Sequence, residues 1–492
     1  MVKAGNVRKL ALETLNALEK GEKLPKQTIE EYVGSILDPH LGEAHDRDRA
    51  FLMELVYGTL RYRDRLDWVL KRFLKNPSAL GHSSLNNLRL ALYQLTFMRV
   101  PGWAAVNEAV ELEKGHGKPA VVNAVLRNFM RQEGGIELPV IDSSPVEHIS
   151  VSTSHPRWMV QRWVDRFGVS EALALAASNN VPPPMTLTAN TCRTSAMELV
   201  EELRSMGIES ELTAHSPRGV RLMRHISYGL LEPLRGKTFV QDEASQLVSM
   251  ALCAERGHKI LDACAAPGGK AAHVAILTDD LAYIAALDKS PRRVSMVGEC
   301  ASALKLGSIH AMLGDVRNVK LPADFDRVIL DAPCSSTGVI RKNPDVKLRL
   351  TKKHLVELAE NQLLLLESAS GHLKKDGLMV YSVCSTEPEE GEEVVKKFLK
   401  KNPGYYIIES AGLIKDKYGV DYRVFISDKM PVDGCYRTYP HNRGLCEYDQ
   451  SEHSQSGHGQ SEDSQCNDDR YKAGQCKDSM DGFFFATLGR SS

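Results

Sequence analysis

From about residue 237 onward, the sequence repeats short apolar runs, turns and helical stretches. The runs KILD, AYIAALD, HAML, DRVILD and GLMVYSV each end in a turn, and a long helix is predicted over 351–373. Short apolar strands that alternate with helices are typical of a parallel, doubly wound sheet. Ligands in such sheets bind at the carboxyl ends of the strands. We therefore predict an α/β domain over 237–492 with its site at that edge.

Two different regions precede this domain. Residues 1–139 have helical spacing of apolar residues, with further helices expected at 104–114 and 119–132, and they predict an all-helical module. Residues 140–236 predict a small α+β subdomain with a helix over 196–206. Because residues 133–155 are rich in Gly, Pro and Ser, they are expected to be a linker.

The helical module has arginines next to its apolar positions. The apolar positions are Phe51, Leu52, Leu55, Val56 and Leu60, and the arginines that follow them are Arg61, Arg63 and Arg65. Such arginines can contact RNA phosphates, although a solvated helix face is the commoner arrangement. The module is therefore a candidate binding module.

Composition excludes several classes of protein. The chain has 492 residues, of which 42% are hydrophobic, and this is typical of a globular protein. Because its net charge is only −1, the surface as a whole does not attract a polyanion. It contains neither a secretory signal nor 18 consecutive apolar residues, so we expect a cytoplasmic protein that uses no membrane. We also expect a monomer. Its ten cysteines are too dispersed for a disulfide scaffold and are expected to be reduced.

A polar segment interrupts the last part of the chain. Residues 441–480 are almost without aliphatic side chains, so they are predicted to be a disordered insertion before a final strand, DGFFFATL. Since the segment lacks CxxC or HxxxH spacing, no metal site is predicted there. The residues considered as metal ligands were Cys446, His453, His458, Cys466 and Cys476.

The stretch KILDACAAPGGK predicts a cofactor loop. Its strand ends at Asp262, and Pro267, Gly268 and Gly269 form a tight turn before a helix that begins near Lys270. Glycines allow a ligand close approach, and the amides of a helix start favour an anionic group. GxGxxG and GxxxxGK[ST] are both absent, which argues against a dinucleotide or a triphosphate.

Acidic residues follow at three further strand ends, Asp288, Asp315 and Asp331. An acid that ends a strand commonly binds ribose hydroxyls in these sheets. The predicted pocket suits adenosine joined to a cationic amino acid, which describes S-adenosylmethionine.

Two cysteines lie at the same predicted edge, Cys334 after the fourth strand and Cys384 after the fifth. Carbon 5 of cytosine is too weak a nucleophile to accept a methyl group unaided, and a thiolate that adds to carbon 6 activates it. Asp331 is placed to hydrogen-bond ring N3 during the addition. Cys192, Cys253 and Cys300 are instead expected to be core residues.

A T-x-x-E capping box at Thr386 and Glu389 predicts a helix just after Cys384, whose positive end would lower the pKa of that thiol. This favours Cys384 as the nucleophile, but the residues alone leave open which cysteine attacks. Arg341 and Lys342 are expected either to neutralise phosphates near a flipped-out base or to lie in a solvated loop.

These motifs resemble the RNA cytosine-C5 methyltransferases of the NOL1/NOP2/Sun family, most closely its bacterial RsmB branch. The matching stretches are VQDEASQ, DACAAPGGK, LDKS, GDV, DAPCSSTGVIRKNPD, YSVCS and DGFFFA. Upstream, RDRAFLMELVYGTLRY and VVNAVLRNFMR resemble a NusB-type RNA-binding domain. The resemblance implies a ferredoxin-like subdomain, a Rossmann-like class I methyltransferase domain and a substrate cytidine in small-subunit (16S) ribosomal RNA.

The resemblance also implies the roles of individual residues. Cys384 would be the nucleophile, and Cys334 would help to release the methylated product. Cofactor contacts are implied for Cys264, Ala265, Ala266, Pro267, Gly268, Gly269, Lys270, Asp288, Asp315 and Asp331. The chain departs from the family pattern at Val383, where Thr is usual, and at Leu348, where Trp is common. Two alternatives therefore stay open: an acceptor in transfer RNA or at another ribosomal site, and a noncatalytic RNA-binding assembly factor.

Overall fold

The computed structural model describes residues 4–19, 46–115, 117–132, 136–321, 325–420, 433–441 and 480–491. These residues form two compact units, one up to Asn180 and one from Val181 onward. Apart from its first and last residues, the predicted insertion at 441–480 lies outside the described residues, as do the five cysteines and histidines considered there as metal ligands. Among the described helices, none has the length and apolar character needed to cross a bilayer.

The first unit is helical in its described part, as the sequence predicts. Leu52, Leu55 and Val56 are fully buried, which confirms the helical spacing. Its described helices are here named α1 Ala4–Glu19, α2 Asp46–Arg61, α3 Arg63–Leu70, α4 His82–Phe97, α5 Gly102–Glu113, α6 Pro119–Met130, α7 Pro145–Thr153, α8 Arg157–Phe167 and α9 Val169–Ser178. A 3₁₀ turn, Pro77–Ala79, lies between α3 and α4.

The three arginines between these apolar positions do not form the solvated face that was favoured. Arg61 is buried, and Arg63 Nη2 donates a hydrogen bond to Glu19 Oε1 at 2.9 Å. Arg65 Nη1 donates to the Ser152 carbonyl at 3.3 Å. These side chains therefore stabilise the helical unit from within.

The linker prediction for 133–155 is wrong in its second half, where α7 forms. Pro145 occupies the first turn of the helix, where its missing N–H costs no hydrogen bond. Ile149 and Val151 are buried, so the helix gains apolar packing that a count of Gly, Pro and Ser does not reveal.

The second unit begins with the predicted α+β subdomain. Its four strands pair antiparallel in the order β2-β3-β1-β4. Ser195 and Glu198 form a capping box at the start of its helix, in which each side chain bonds the other's backbone amide. The elements are β1 Met185–Ala189, α10 Ala196–Ser205, β2 Ser210–Leu212, β3 Gly219–Leu222 and β4 Thr238–Val240, with a 3₁₀ segment at Tyr228–Leu234.

The larger sheet has the order β10-β12-β9-β8-β5-β6-β7, with β11 paired to β12. Its elements are α11 Glu243–Ala251, β5 Lys259–Asp262, α12 Gly269–Leu277, β6 Tyr283–Asp288, α13 Pro291–Leu304, β7 Ile309–Leu313, β8 Phe325–Asp331, α14 Val346–Arg349, α15 Lys352–Ser370, β9 Leu373–Val383, α16 Glu392–Lys401, β10 Tyr405–Ile408, α17 Ser410–Tyr418, β11 Cys435–Arg437 and β12 Phe484–Arg490, with 3₁₀ turns at Thr337–Val339 and Pro388–Glu390.

The sheet is parallel from β9 to β7 and antiparallel where β10, β11 and β12 join it. The strand order reverses at β5, which lies between β6 and β8, so the switch point is the gap between β5 and β8. Because β12 is antiparallel to β9, with Phe484 opposite Val383, the segment that precedes β12 also reaches the carboxyl edge of the parallel strands.

Candidate active site

A cavity of about 230 Å³ opens at the carboxyl edge of β5 and β8. The turn after β5 contains Gly268 at φ 111°, a left-handed conformation that favours glycine. A Cβ atom at Gly268 would lie 3.2 Å from the backbone of Val297, so glycine also allows the turn to pack closely on α13. The cavity is lined by Val240, Gln241, Asp242, Ser245, Asp262, Cys264, Ala265, Ala266, Pro267, Gly269, Lys270, Asp331, Lys342, Asp481 and Phe483.

The predicted cofactor residues divide into two groups. Most of the loop from Cys264 to Lys270 lines the cavity, as does Asp331. Gly268, Asp288 and Asp315 are not among the described residues that line it. Asp288 ends β6 as predicted and accepts from Arg293 Nε at 3.0 Å.

Asp315 lies two residues beyond the end of β7 at Leu313, so it does not itself end that strand. Its carboxylate accepts two hydrogen bonds from the Arg317 guanidinium. These bonds lower the pKa of Asp315 to about 2. Its contact with a cofactor stays a prediction.

Asp262, at the end of β5, is a buried carboxyl that lines the cavity. It is 1% exposed, and neither of its oxygens has a hydrogen-bond partner of good geometry in the described part of the chain. Burial raises the pKa of Asp262 to about 7, with a further contribution from the negative charge of Asp331. A cation bound in the cavity would relieve this cost, because an opposite charge favours the ionised carboxylate.

Asp262→Asn is expected to remove a pH dependence of stability. The folded-state pKa of Asp262 is about 7 and its ordinary value is 3.8, so between these values the folded chain binds a proton that the unfolded chain has lost. This contribution to the free energy of unfolding is complete below pH 3.8 and is lost as the pH rises to about 7. Its size is at most on the order of 4 kcal/mol.

Urea unfolding of both chains across this pH range measures the difference. The free energy of unfolding of the wild type should fall relative to that of Asp262→Asn as the pH rises. If the free energies of unfolding of the two chains keep a constant difference over this pH range, the pKa of Asp262 is not raised by folding.

Asp331 is held in place at the end of β8 by two partners. Its Oδ2 accepts from Lys270 Nζ at 2.7 Å, and its Oδ1 accepts from Ser382 Oγ at 2.8 Å. Lys270 Nζ also lies 5.1 Å from the centre of the Phe483 ring, a cation–π distance. The ion pair therefore joins the first turn of α12 to the ends of β8 and β9.

The two cysteines come together as the sequence predicts. Cys334 Sγ and Cys384 Sγ are 3.1 Å apart, and Cys384 Sγ donates to Ser336 Oγ at 3.7 Å. The hydrogen bond with Cys384 and burial raise the pKa of Cys334 well above its ordinary value. Cys334 therefore stays protonated at neutral pH and can donate a proton or a hydrogen bond to the Cys384 sulfur.

The predicted capping box after Cys384 is wrong. Residues Pro388–Glu390 form a 3₁₀ turn without a side-chain cap, and α16 begins only at Glu392. The Thr386 amide instead donates a hydrogen bond to Thr337 Oγ1 at 3.0 Å. The helix-dipole argument for Cys384 is thereby lost, because tertiary hydrogen bonds replace the local cap.

Arg341 and Lys342 were expected to lie at a phosphate or in a solvated loop, and Arg341 does neither. Arg341 is 2% exposed, and its Nε donates to Asp481 Oδ1 at 2.9 Å. Lys342 Nζ donates to Asp242 Oδ2 at 3.2 Å and also to Asp481. These four residues tie α11, the loop after β8 and the segment before β12 together beside the cavity.

Several site residues were missed in the sequence. Asp242 and Asp481 are far apart along the chain, and Phe483 resembles a core residue in an aromatic run. Asp262 was visible as a strand end, and its position beside the glycine turn was a usable signal. Glu390 carried no signal, because nothing in a run of acidic residues marks the one that is buried.

Comparisons with known families agree with this architecture. Residues 249–489 match the family model "16S rRNA methyltransferase RsmB/F". Residues 5–131 match "NusB family", and residues 155–228 match the ferredoxin-like domain of RsmF/B-like methyltransferases. "Probable ribosomal RNA small subunit methyltransferase B" of Bacillus subtilis is 36% identical over 82% of this chain and 90% of its own length.

This chain belongs to the RsmB/F family of rRNA methyltransferases. Another member, "Ribosomal RNA small subunit methyltransferase B" of Pseudomonas putida, is 35% identical over 76% of this chain and 86% of its own length. The predicted family, the NusB-like helical module, the ferredoxin-like subdomain and the methyltransferase domain are thus confirmed.

Solved structures share the fold. The crystal structure of PH0851 covers 100% of this chain and 99% of its own, with a TM-score of 0.76 and 21% identity. The structure of NSun6 from Pyrococcus horikoshii with SFG covers 68% of this chain and 98% of its own, with a TM-score of 0.55 and 19% identity. At this identity, the likeness speaks for the fold alone.

Proposed function

We propose that this chain uses S-adenosylmethionine to methylate carbon 5 of a cytidine in small-subunit (16S) ribosomal RNA, with Cys384 as a covalent nucleophile. The observation that carries the proposal is the contact between two thiols, 3.1 Å apart, just after the ends of the neighbouring strands β8 and β9. Neither thiol is among the described residues that line the cavity, but Asp331, at the end of β8, does line it. Methyl transfer to an oxygen or a nitrogen needs no thiol, whereas transfer to a pyrimidine carbon needs one to activate the ring.

Cys384 gives up its thiol proton to solvent and adds as the thiolate to carbon 6 of the target cytosine, which leaves carbon 5 electron-rich. After carbon 5 has taken the methyl group, a base removes the carbon 5 proton, the carbon 6–sulfur bond breaks and the ring regains its double bond. Cys334, protonated and in contact with the Cys384 sulfur, assists this departure by stabilising the thiolate that leaves.

Asp331 acts at N3 of the cytosine ring, the atom opposite carbon 6. The ion pair with Lys270 and the hydrogen bond from Ser382 orient it at the end of β8, where its carboxylate can accept a hydrogen bond from N3–H once the ring has taken up a proton at N3. Because charge develops on the ring as the thiolate adds, a preorganised partner at N3 lowers the barrier.

The cavity fits S-adenosylmethionine by its chemistry. The loop from Cys264 to Lys270 supplies small side chains and a helix start, and a cationic amino acid would stabilise the ionised form of buried Asp262. When bound, the cofactor supplies a methyl group on a sulfonium. The presence of SFG, an S-adenosylmethionine analogue, in the NSun6 structure supports the same choice.

The RNA class is supported by the relatives, which are named as acting on small-subunit rRNA, and by the NusB-like match at residues 5–131. We assign residues 1–139 to this RNA-binding module, 140–236 to the ferredoxin-like subdomain and its linker, and 237–492 to the methyltransferase domain. Val383, fully buried on β9, leaves the nucleophile without a neighbouring threonine hydroxyl.

The test uses the purified full chain, labelled S-adenosylmethionine and 16S rRNA that lacks 5-methylcytosine. One cytidine should acquire the label, and bisulfite sequencing should locate it. Transfer RNA and large-subunit rRNA serve as matched acceptors, and preferential labelling of either would replace the assigned substrate. RNA binding without any methyl transfer would favour a noncatalytic assembly factor.

Asp331→Asn is expected to lower kcat by about 10²- to 10³-fold, because the variant loses the ion pair with Lys270 and the charge beside ring N3. Single-turnover methylation measures the loss. Asp326→Asn is the matched control, since Asp326 lies at the opposite end of β8 and pairs with Lys374. Equal activity of both variants would exclude Asp331 from the chemistry.

A further inference from the structure

Glu390 is a buried carboxylate that bridges the loops following both candidate cysteines. Its side chain is 0% exposed. Oε1 accepts from the Ser335 backbone N–H at 2.8 Å, and Oε2 accepts from Ser335 Oγ and from Ser385 Oγ, each at 2.5 Å. Ser335 directly follows Cys334, and Ser385 directly follows Cys384. One side chain therefore fixes the residues next to both sulfurs.

Two further residues fix Glu390 itself. Gln362 of α15 donates through Nε2 to Glu390 Oε1 at 2.9 Å and to the carbonyl of Pro333 at 2.9 Å. Tyr381 donates through its hydroxyl to the Glu390 carbonyl at 2.5 Å. The carboxylate is thus held between β9, α15 and the Cys334 loop, so its position cannot drift without breaking several bonds.

Burying a carboxylate is unfavourable, and burial accordingly raises the pKa of Glu390, while hydrogen bonds from Ser335, Ser385 and Gln362 offset part of the effect. An apolar side chain would pack at this position without that cost, but it would remove the acceptor that four buried donors share. The arrangement therefore specifies where the two loops lie.

We propose that Glu390 is a positioning residue that holds the Cys334 and Cys384 loops together, so that the two sulfurs stay in contact throughout the reaction. Its catalytic consequence rests on the proposed function, whereas its geometric consequence can be measured without methyl transfer. Glu390 touches neither sulfur and acts through Ser335 and Ser385.

Hydrogen bonding, rather than charge, carries this role. The amide introduced by Glu390→Gln keeps one oxygen for the Ser335 N–H and Gln362, and its NH₂ can donate to the two serine hydroxyls, which accept as readily as they donate. Glu390→Gln should therefore retain the positioning, and Glu390→Ala should lose it.

The test measures how fast the two thiols form a disulfide in the intact, folded chain. Diamide oxidises both thiols to the disulfide and takes up two electrons and two protons to become its hydrazine form. Peptide mapping of the Cys334–Cys384 pair gives the rate. We expect Glu390→Ala to slow it by at least about tenfold and Ser385→Ala by about threefold, with Glu390→Gln within about threefold of wild type.

Glu392→Ala is the matched control. Glu392 is also buried, two residues further on, but it pairs with Arg437 rather than with the cysteine loops. Its loss should lower the melting temperature and leave the disulfide rate unchanged. In parallel, kcat for RNA methylation should fall at least about tenfold in Glu390→Ala with little change in the KM for RNA.

A wild-type disulfide rate in both Glu390→Ala and Ser385→Ala would overturn the inference, as would equal slowing by Glu392→Ala. If Glu390→Ala does not fold, the rate of disulfide formation in Ser385→Ala tests the inference alone. Slowing by about threefold supports the inference, and a wild-type rate overturns it. A slowed disulfide in Glu390→Ala combined with no methyl transfer by any chain, wild type included, would uphold the positioning role and reject the proposed function.

Discussion

Cys384→Ala is expected to reduce methyl transfer to cytidine by about 10⁴-fold or more, since removing a covalent nucleophile leaves only binding and orientation. Without the sulfur, carbon 6 has no partner and carbon 5 stays unreactive. The alanine is smaller than cysteine and leaves the hydrogen bonds of Ser385 intact. Single-turnover transfer of label from S-adenosylmethionine to RNA measures the loss.

Cofactor and RNA binding by Cys384→Ala should remain within about threefold of wild type, because the sulfur acts in the chemical step rather than in binding. Cys192→Ala is the matched control, since Cys192 lies on the ferredoxin-like subdomain and is exposed, so its prediction as a core residue is wrong. If Cys384→Ala kept more than a hundredth of the activity, the covalent mechanism through Cys384 would be wrong.

Cys334→Ala is expected to trap the enzyme on its RNA. The addition through Cys384 and the methylation of carbon 5 should proceed, but the departing thiolate loses the thiol that lies 3.1 Å away. Turnover should fall by about 10²-fold or more, as for the loss of a proton donor. A slowly migrating, nuclease-sensitive band that survives denaturing electrophoresis would be the adduct.

The double variant Cys334→Ala/Cys384→Ala supplies the control for this band. It should give no adduct, because the sulfur that forms the bond is absent. An adduct in Cys384→Ala that is missing in Cys334→Ala would reverse the roles of the two cysteines while keeping the covalent mechanism.

The local chemistry of the site could be predicted from the sequence. Asp262, Asp288 and Asp331 end their strands as expected, and the glycine turn leads into α12. Both cysteines were placed at one edge because the carboxyl ends of parallel strands must share an edge, whatever lies between them in the chain. Short apolar runs that end in turn residues were sufficient to predict these strands.

Predictions that depended on one short segment were less successful. The capping box at Thr386 and Glu389 has the right spacing, yet Thr386 bonds Thr337 and Glu390 bonds the two serines. Arg341 has the composition of a surface loop residue, yet it is buried against Asp481, 140 residues away. A local pattern is a weak preference that several buried hydrogen bonds outweigh.

By itself, the sequence determined which residue types stand at the strand ends, and therefore the class of chemistry, because burial periodicity and turn residues act over a few positions. Only the tertiary structure decided that the sulfurs touch, that the buried Asp262 carboxyl has no hydrogen-bond partner of good geometry in the described part of the chain, and that Glu390 rather than Glu389 is enclosed. Those outcomes depend on which residues, far apart in the sequence, pack together and exclude water. The whole fold therefore decides which polar groups are buried and whether each of them finds a hydrogen-bond partner.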